Sequence, residues 1–343
     1  MQLGQQLRAI TAVALGIGAL GACGGGGDGA DLEIYSGRNR DLIEPLIERF
    51  EAASGLDVTV RYPGDSAVTA QLIVDEGDRA PDLFISQSPG AIGWLDSEGK
   101  LRELDAEVLG RVPEPYRSTD GHWIGTSARV RVLVYNSNAV APDDLPGSVF
   151  ELTESVYEGR VGVAASNPSF IDFVSAMREL EGDDATGEFL TALADNGARD
   201  YGSSNDAVLA AVARGEVDFG LINHYYNARA KAEDPEQPTE NHLFDAGDPG
   251  SVVLLTTVGL LETGEDHRDA AMQFIEFVLN EESQQYFADV TLEYAIVTSL
   301  DAGGDPTLPP LSEIEAPVVD LASLGADFAA TQQLIEDSGL VDR

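Results

Sequence analysis

Two adjacent tyrosines, Tyr225 and Tyr226, are the residues of this sequence best suited to a specific chemistry. A phenolate is a hard, anionic oxygen donor, matched to a hard, highly charged cation. A free phenol titrates near pH ~10, and a bound trivalent cation takes that proton at neutral pH. The pair follows the apolar run Val217 to Ile222, which reads as a strand. Successive side chains in a strand point to opposite faces, so a shared task requires the chain to turn here. Without further context, packing at a strand end explains the pair better than metal ligation. His224 is read as a supporting neighbour rather than a ligand, and His122, His242 and His267 show no ligand spacing. A nucleophile elbow, a phosphate-binding loop and a zinc-protease helix motif are all missing, so the chain is read as a non-enzyme.

The elements that must position these residues alternate between strand and helix. Leu32 to Tyr35 reads as a strand, followed by a helical stripe through Leu42, Ile43, Leu46, Ile47 and Phe50 that closes near Gly55. Val58 to Tyr62 alternates as a strand, Ala67 to Glu76 returns to helix, and Leu83 to Ile85 is a short buried strand. This order predicts a parallel, helix-covered sheet whose ligands sit beyond the carboxyl ends of its strands. A second α/β stretch follows, with strands at Val130 to Tyr135, Val161 to Ala165 and Ser251 to Leu261. Helices are predicted at Ile171 to Leu180, Asn205 to Ala213 and His267 to Asn280. Two lobes around a cleft fit this pattern, as does a single large sheet.

Sixty acidic residues against 20 basic ones give a formal charge of -40 over 343 residues, which disfavours nucleic acid and anionic lipid as partners. Arg8 is the only charge in residues 1–22; an apolar run and small residues follow it, in the layout of a secretory signal. The single cysteine, Cys23, comes directly after Leu20-Gly21-Ala22, a sequence that resembles a bacterial lipobox. Lipidation of Cys23 and a short glycine-rich tether over 23–30 are the expectation, giving an extracytoplasmic protein held to the membrane by its lipid alone. With no second cysteine there is no intrachain disulfide.

Over nearly all of residues 31–300 the chain resembles the periplasmic ferric-iron-binding proteins, or bacterial transferrins, of the type II solute-binding superfamily. The resemblance is carried by Ile34 to Asn39, Pro81 to Gln87, Ser127 to Asn136, and most specifically by Gly215 to Tyr226, with Glu293-Tyr294 in support. It implies an α/β fold of two lobes, the periplasmic-binding-protein type II fold, with hinge strands and an inter-lobe cleft. The crossovers are expected near Val130–Asn136 and Val252–Leu261. One lobe would hold 31–130 plus 256–306, and the other 131–255 plus 307–343.

The resemblance further implies Fe3+ as transported ligand, bound by Tyr225 and Tyr226 with carbonate or another small anion. It also implies delivery to an ABC permease and its ATPase by a monomeric binding protein. Asn39 and Gln87 fall where some members carry histidine and glutamate ligands, so an anion-assisted site is expected instead. Arg38 suits the anion, although a surface arginine at a helix start is as good a reading. Tyr35 is a candidate third phenolate or simply a core tyrosine. Asn167, Ser169, Asn205 and Asn223 map onto the family's anion pocket, with ordinary helix capping as the competing role for Ser169 and Asn205. Phe170 stands where some members place a further tyrosine. Two other readings stay open on this scaffold: an importer protein for a small organic solute or oxyanion, and a surface sensor or interaction protein.

Overall fold

The computed structural model describes residues 30–341 apart from 298, 301, 302, 322, 326 and 327. The expected signal segment, Cys23 and nearly all of the tether therefore lie outside the described residues. Among the described residues no helix is long and apolar enough to cross a membrane.

The first third of the chain builds one lobe. In chain order, β1 (Leu32–Ser36), α1 (Arg40–Ser54), β2 (Val58–Arg61), α2 (Ser66–Glu76), β3 (Leu83–Ser86), α3 (Pro89–Ser97), β4 (Leu101–Arg102) and α4 (Ala106–Leu109) precede the long strand β5 (Trp123–Asn136). β1 lies parallel to both β2 and β3. Helix α1 keeps Leu42, Ile43, Leu46, Ile47 and Phe50 buried, the stripe that helical periodicity predicts. It ends at Gly55 in the left-handed conformation (φ 75°), where a side chain would be strained.

The second lobe follows with β6 (Val161–Val163), α5 (Pro168–Glu181), α6 (Asp183–Asp195), β7 (Arg199–Asp200), α7 (Asn205–Arg214), β8 (Phe219–Asn223), α8 (His224–Glu233) and β9 (Thr239–His242). The chain then returns through β10 (Val253–Leu261) to α9 (Arg268–Val278), α10 (Glu281–Tyr286) and finally α11 (Phe328–Asp337).

Strands β5 and β10 join the halves. Residues Trp123 to Val130 of β5 pair antiparallel with β10, which itself pairs with β3. From Arg131 onward β5 pairs instead with β8 and β9. One fully buried strand thus serves two sheets and changes partner at Val130/Arg131. The sequence reading began this strand at Val130. Its first half is less apolar, and only pairing with distant β10 makes it a strand. A bulge at Thr126 of β5 interrupts the pairing opposite Thr256 and Thr257, and the Thr126 hydroxyl donates to Thr256 O at 3.3 Å. The C-terminal tail packs on both α3 and α5 through Ser323–Gly325, and α11 lies on α5 and α6.

A cleft ringed by helix N-termini

Six helices begin at one cleft of about 200 Å³ between the lobes. Asn39, Ser66 and Ser88 bring the starts of α1, α2 and α3 to it from one side. Pro168, Asp206 and Tyr225 bring those of α5, α7 and α8 from the other. Helix N-termini present unpaired N–H groups and a partial positive charge, so the cleft favours anions despite the acidity of the whole chain. Its size suits an ion with a small partner rather than a large organic molecule.

The chain turns at Asn223, as a shared role for the tyrosines requires, and it does so by starting a helix. Tyr225 and Tyr226 occupy the first turn of α8, with rings stacked at 4.4 Å and 26°. Tyr225 is buried and Tyr226 is half-buried, and both line the cleft. Burial pushes the Tyr225 hydroxyl well above the usual phenol range; Tyr226, hydrogen-bonded to it, pushes the same way, and Arg129 opposes them. Arg229 stands one turn further on and also lines the cleft, and among the described residues no carboxylate pairs with it. Sequence reasoning missed Arg229 because α8 had not been recognised; its i+4 spacing from Tyr225 is the signal that would have found it.

The remaining candidates fall into three groups. Asn39, Gln87, Asn167, Ser169 and Asn223 line the cleft. Asn39 caps α1, and its backbone N–H donates to Gln87 Oε1 at 3.1 Å. Asn167 caps α5 by accepting from the Ser169 N–H at 2.9 Å. Asn223 makes no side-chain cap bond to α8 and instead accepts from Arg131 Nη1 at 3.3 Å. Asn205 is buried just behind, its Nδ2 donating to Ser169 Oγ at 3.3 Å while its Oδ1 has no partner. The cap of α7 is Ser204, not Asn205.

Two expectations require correction. Tyr35 does not reach the cleft: its hydroxyl donates to Glu76 at 2.7 Å and accepts from Arg61. Burial and the Glu76 bond push it up to about 12. Arg38 is not available to an anion either. It is buried against Glu293 in a two-bond pair (2.7 and 3.2 Å) and also donates to Thr256. Burial alone would raise the Glu293 carboxyl, but Arg38, Arg129 and Ser127 outweigh it and hold the group below the ordinary range. Phe170 is fully buried against Phe173.

His224 is wholly enclosed: Nδ1 accepts from the Val130 N–H at 3.2 Å and Nε2 faces Leu292 O at 3.0 Å. Those partners require a neutral ring with its proton on Nε2, so it supports the turn without reaching the cleft. The arginines of β5 divide: Arg129 lines the cleft, while Arg131 lies beneath it, donating to Ser169, Asn223 and Leu221. Burial lowers Arg131 to about 9, against the opposing pull of Tyr226.

Residues 78–320 match the family profile of the bacterial extracellular solute-binding proteins. The chain belongs to that family. Over 312 residues this solute-binding protein is 32% identical to the Fe(3+)-binding periplasmic protein of Serratia marcescens, covering 90% of each chain. It is 28% identical to the major ferric iron-binding protein of Neisseria meningitidis serogroup B, covering 91% of this chain and 93% of that one. Iron-bound HitA from Pseudomonas aeruginosa superposes with a TM-score of 0.81 at 31% identity, over 90% of this chain and 99% of HitA. The two-lobed fold expected from the sequence is the fold of these neighbours, and the family's members act outside the cytoplasm.

Proposed function

We propose that this solute-binding protein carries ferric iron, bound by Tyr225 and Tyr226 as phenolates together with carbonate or another small anion. The observation that supports it is the stacked tyrosine pair in the first turn of α8, beside the uncommitted guanidinium of Arg229. The pair supplies two hard donors on one side of the ion. Arg229, with Arg129, Ser169, Asn205, Asn223 and the surrounding helix starts, would hold the anion in place of Arg38. Burial that resists ionisation of Tyr225 also sets selectivity, since only a cation of high charge offsets that cost. The residues serve binding and release rather than chemistry on the ligand.

In the same reading, Cys23 carries the lipid that tethers a monomer outside the membrane. Closure of a lobe of 31–130 plus 256–306 onto one of 131–255 plus 307–343 presents the loaded form to an ABC permease and its ATPase.

Ferric citrate and bicarbonate added to metal-free protein should give a visible phenolate-to-iron absorption band, with about one iron per chain by metal analysis. Tyr225→Phe and Tyr226→Phe should each abolish or strongly weaken the band. No band in the unmodified protein, or full iron binding by both variants, sinks the proposal. A ring of helix N-termini also suits a free oxyanion, and that second reading gains if an oxyanion binds tightly without metal.

A further inference from the structure

At the wall of the cleft the lobes meet through a buried polar contact, between Ser88 and Asp172, that the proposed iron site does not use. Ser88 Oγ, at the start of α3 in the first lobe, donates to Asp172 Oδ1, in α5 of the second, at 2.6 Å. The Asp172 side chain is 1% exposed, and its Oδ2 has no hydrogen-bond partner. The nearest cation is Arg129 Nη2 at 4.0 Å, and that guanidinium is bonded to Gln87 O and Thr256. The charged groups that act on Asp172 are Arg129 and Arg131 of β5; from the α3 side it meets the neutral hydroxyl of Ser88. A buried carboxylate with one oxygen unsatisfied costs free energy that an open, hydrated cleft does not impose. Burial outweighs Ser88 and both arginines and raises the group to about 6.

We propose that Asp172 is a positioning residue that latches the lobes: its bond to Ser88 holds the cleft shut, more tightly when the carboxyl is protonated. The proposal does not depend on the cargo, because the contact is made by the protein alone. The sign follows from linkage. The closed form binds the proton more strongly than the open form, so acid favours closure through this group. An exposed Asp of pKa ~3.9 and a buried one near ~6 give about a tenfold rise in the closed-to-open ratio between pH 7.5 and 5.

The test is small-angle scattering of the ligand-free full chain across that pH range, with the radius of gyration reporting closure. The unmodified protein should compact on acidification. Asp172→Asn, nearly isosteric and able to accept from Ser88 without charge, should be as compact at pH 7.5 as the parent is at pH 5, and indifferent to pH. Ser88→Ala should be more open at both pH values. A parent that does not respond to pH, an Asp172→Asn variant that retains the parental response, or a Ser88→Ala variant as closed as the parent would each overturn the latch. None of these outcomes bears on whether iron is bound, so the latch and the iron site fail separately.

Discussion

Replacing Glu293 by glutamine should cost stability without touching the cleft. Both partners of the Arg38–Glu293 pair are buried, with side-chain exposures of 0% and 1%. Ser127 and Thr291 also donate to Glu293 Oε2, at 2.8 and 3.2 Å. Glutamine keeps the shape, removes the charge and turns an N–H₂ group toward donors. The guanidinium of Arg38 is then left in the interior without a counter-ion, a change that costs about 3–5 kcal/mol in comparable buried pairs.

Urea unfolding followed by tryptophan fluorescence would measure it, because Trp94 and Trp123 lie on α3 and β5, in the same lobe as Arg38. The midpoint should fall with an unchanged slope. Replacing both partners by apolar residues of similar volume should restore part of the loss, since the cost lies in the unpaired charge. A loss under ~1 kcal/mol would refute the pairing argument. So would loss of anion-dependent cargo binding at full stability, because it would return Arg38 to the cleft role expected from the sequence.

Two further outcomes test the interior. His224, lowered to about 4 by burial, contributes stability that is present above pH ~6.5 and is lost as pH falls toward 4, by up to ~3 kcal/mol. Asp172, raised to about 6, has the opposite sign: its destabilisation is greatest above pH 6 and is relieved as acid protonates it. The two partly cancel in the parent. Ligand-free Asp172→Asn should therefore lose stability between pH 6.5 and 4 more steeply than the parent, and His224→Gln less steeply; parallel pH curves would contradict both assignments. Gly325→Ala would put a Cβ 1.8 Å from Gly90 O and 2.8 Å from Trp94 N. The tail should lift from α3 at a cost of about 1–3 kcal/mol. Faster amide exchange in Ser323–Gly325 and α11 would show this, and unchanged exchange would count against the packing described.

The sequence alone determined whatever depends on near neighbours. Hydrophobic periodicity is a local property, so β1 to β3, α1, α5, α7 and α9 were legible to within a few residues of their ends. Tyr225 and Tyr226 needed no tertiary information to be placed together. The loops after β1, β2 and β3, where Asn39, Ser66 and Gln87 line the cleft, lie where the rule that ligands sit beyond the carboxyl ends of parallel strands puts them.

Long-range pairing decided the rest. Arg38 lost its expected role to Glu293, a partner 255 positions away, and Tyr35 lost its own to Glu76 and Arg61. Arg229 became the proposed anion holder because, among the described residues, no carboxylate came to it, and such an absence cannot be read from a chain holding 60 acids. Asp172, one more acid among them, became distinctive only when the first lobe closed over it through Ser88. Charge pairing in an acidic protein is a competition among many equivalent partners, and the fold resolves it by burial and distance, neither of which is written in the order of the residues.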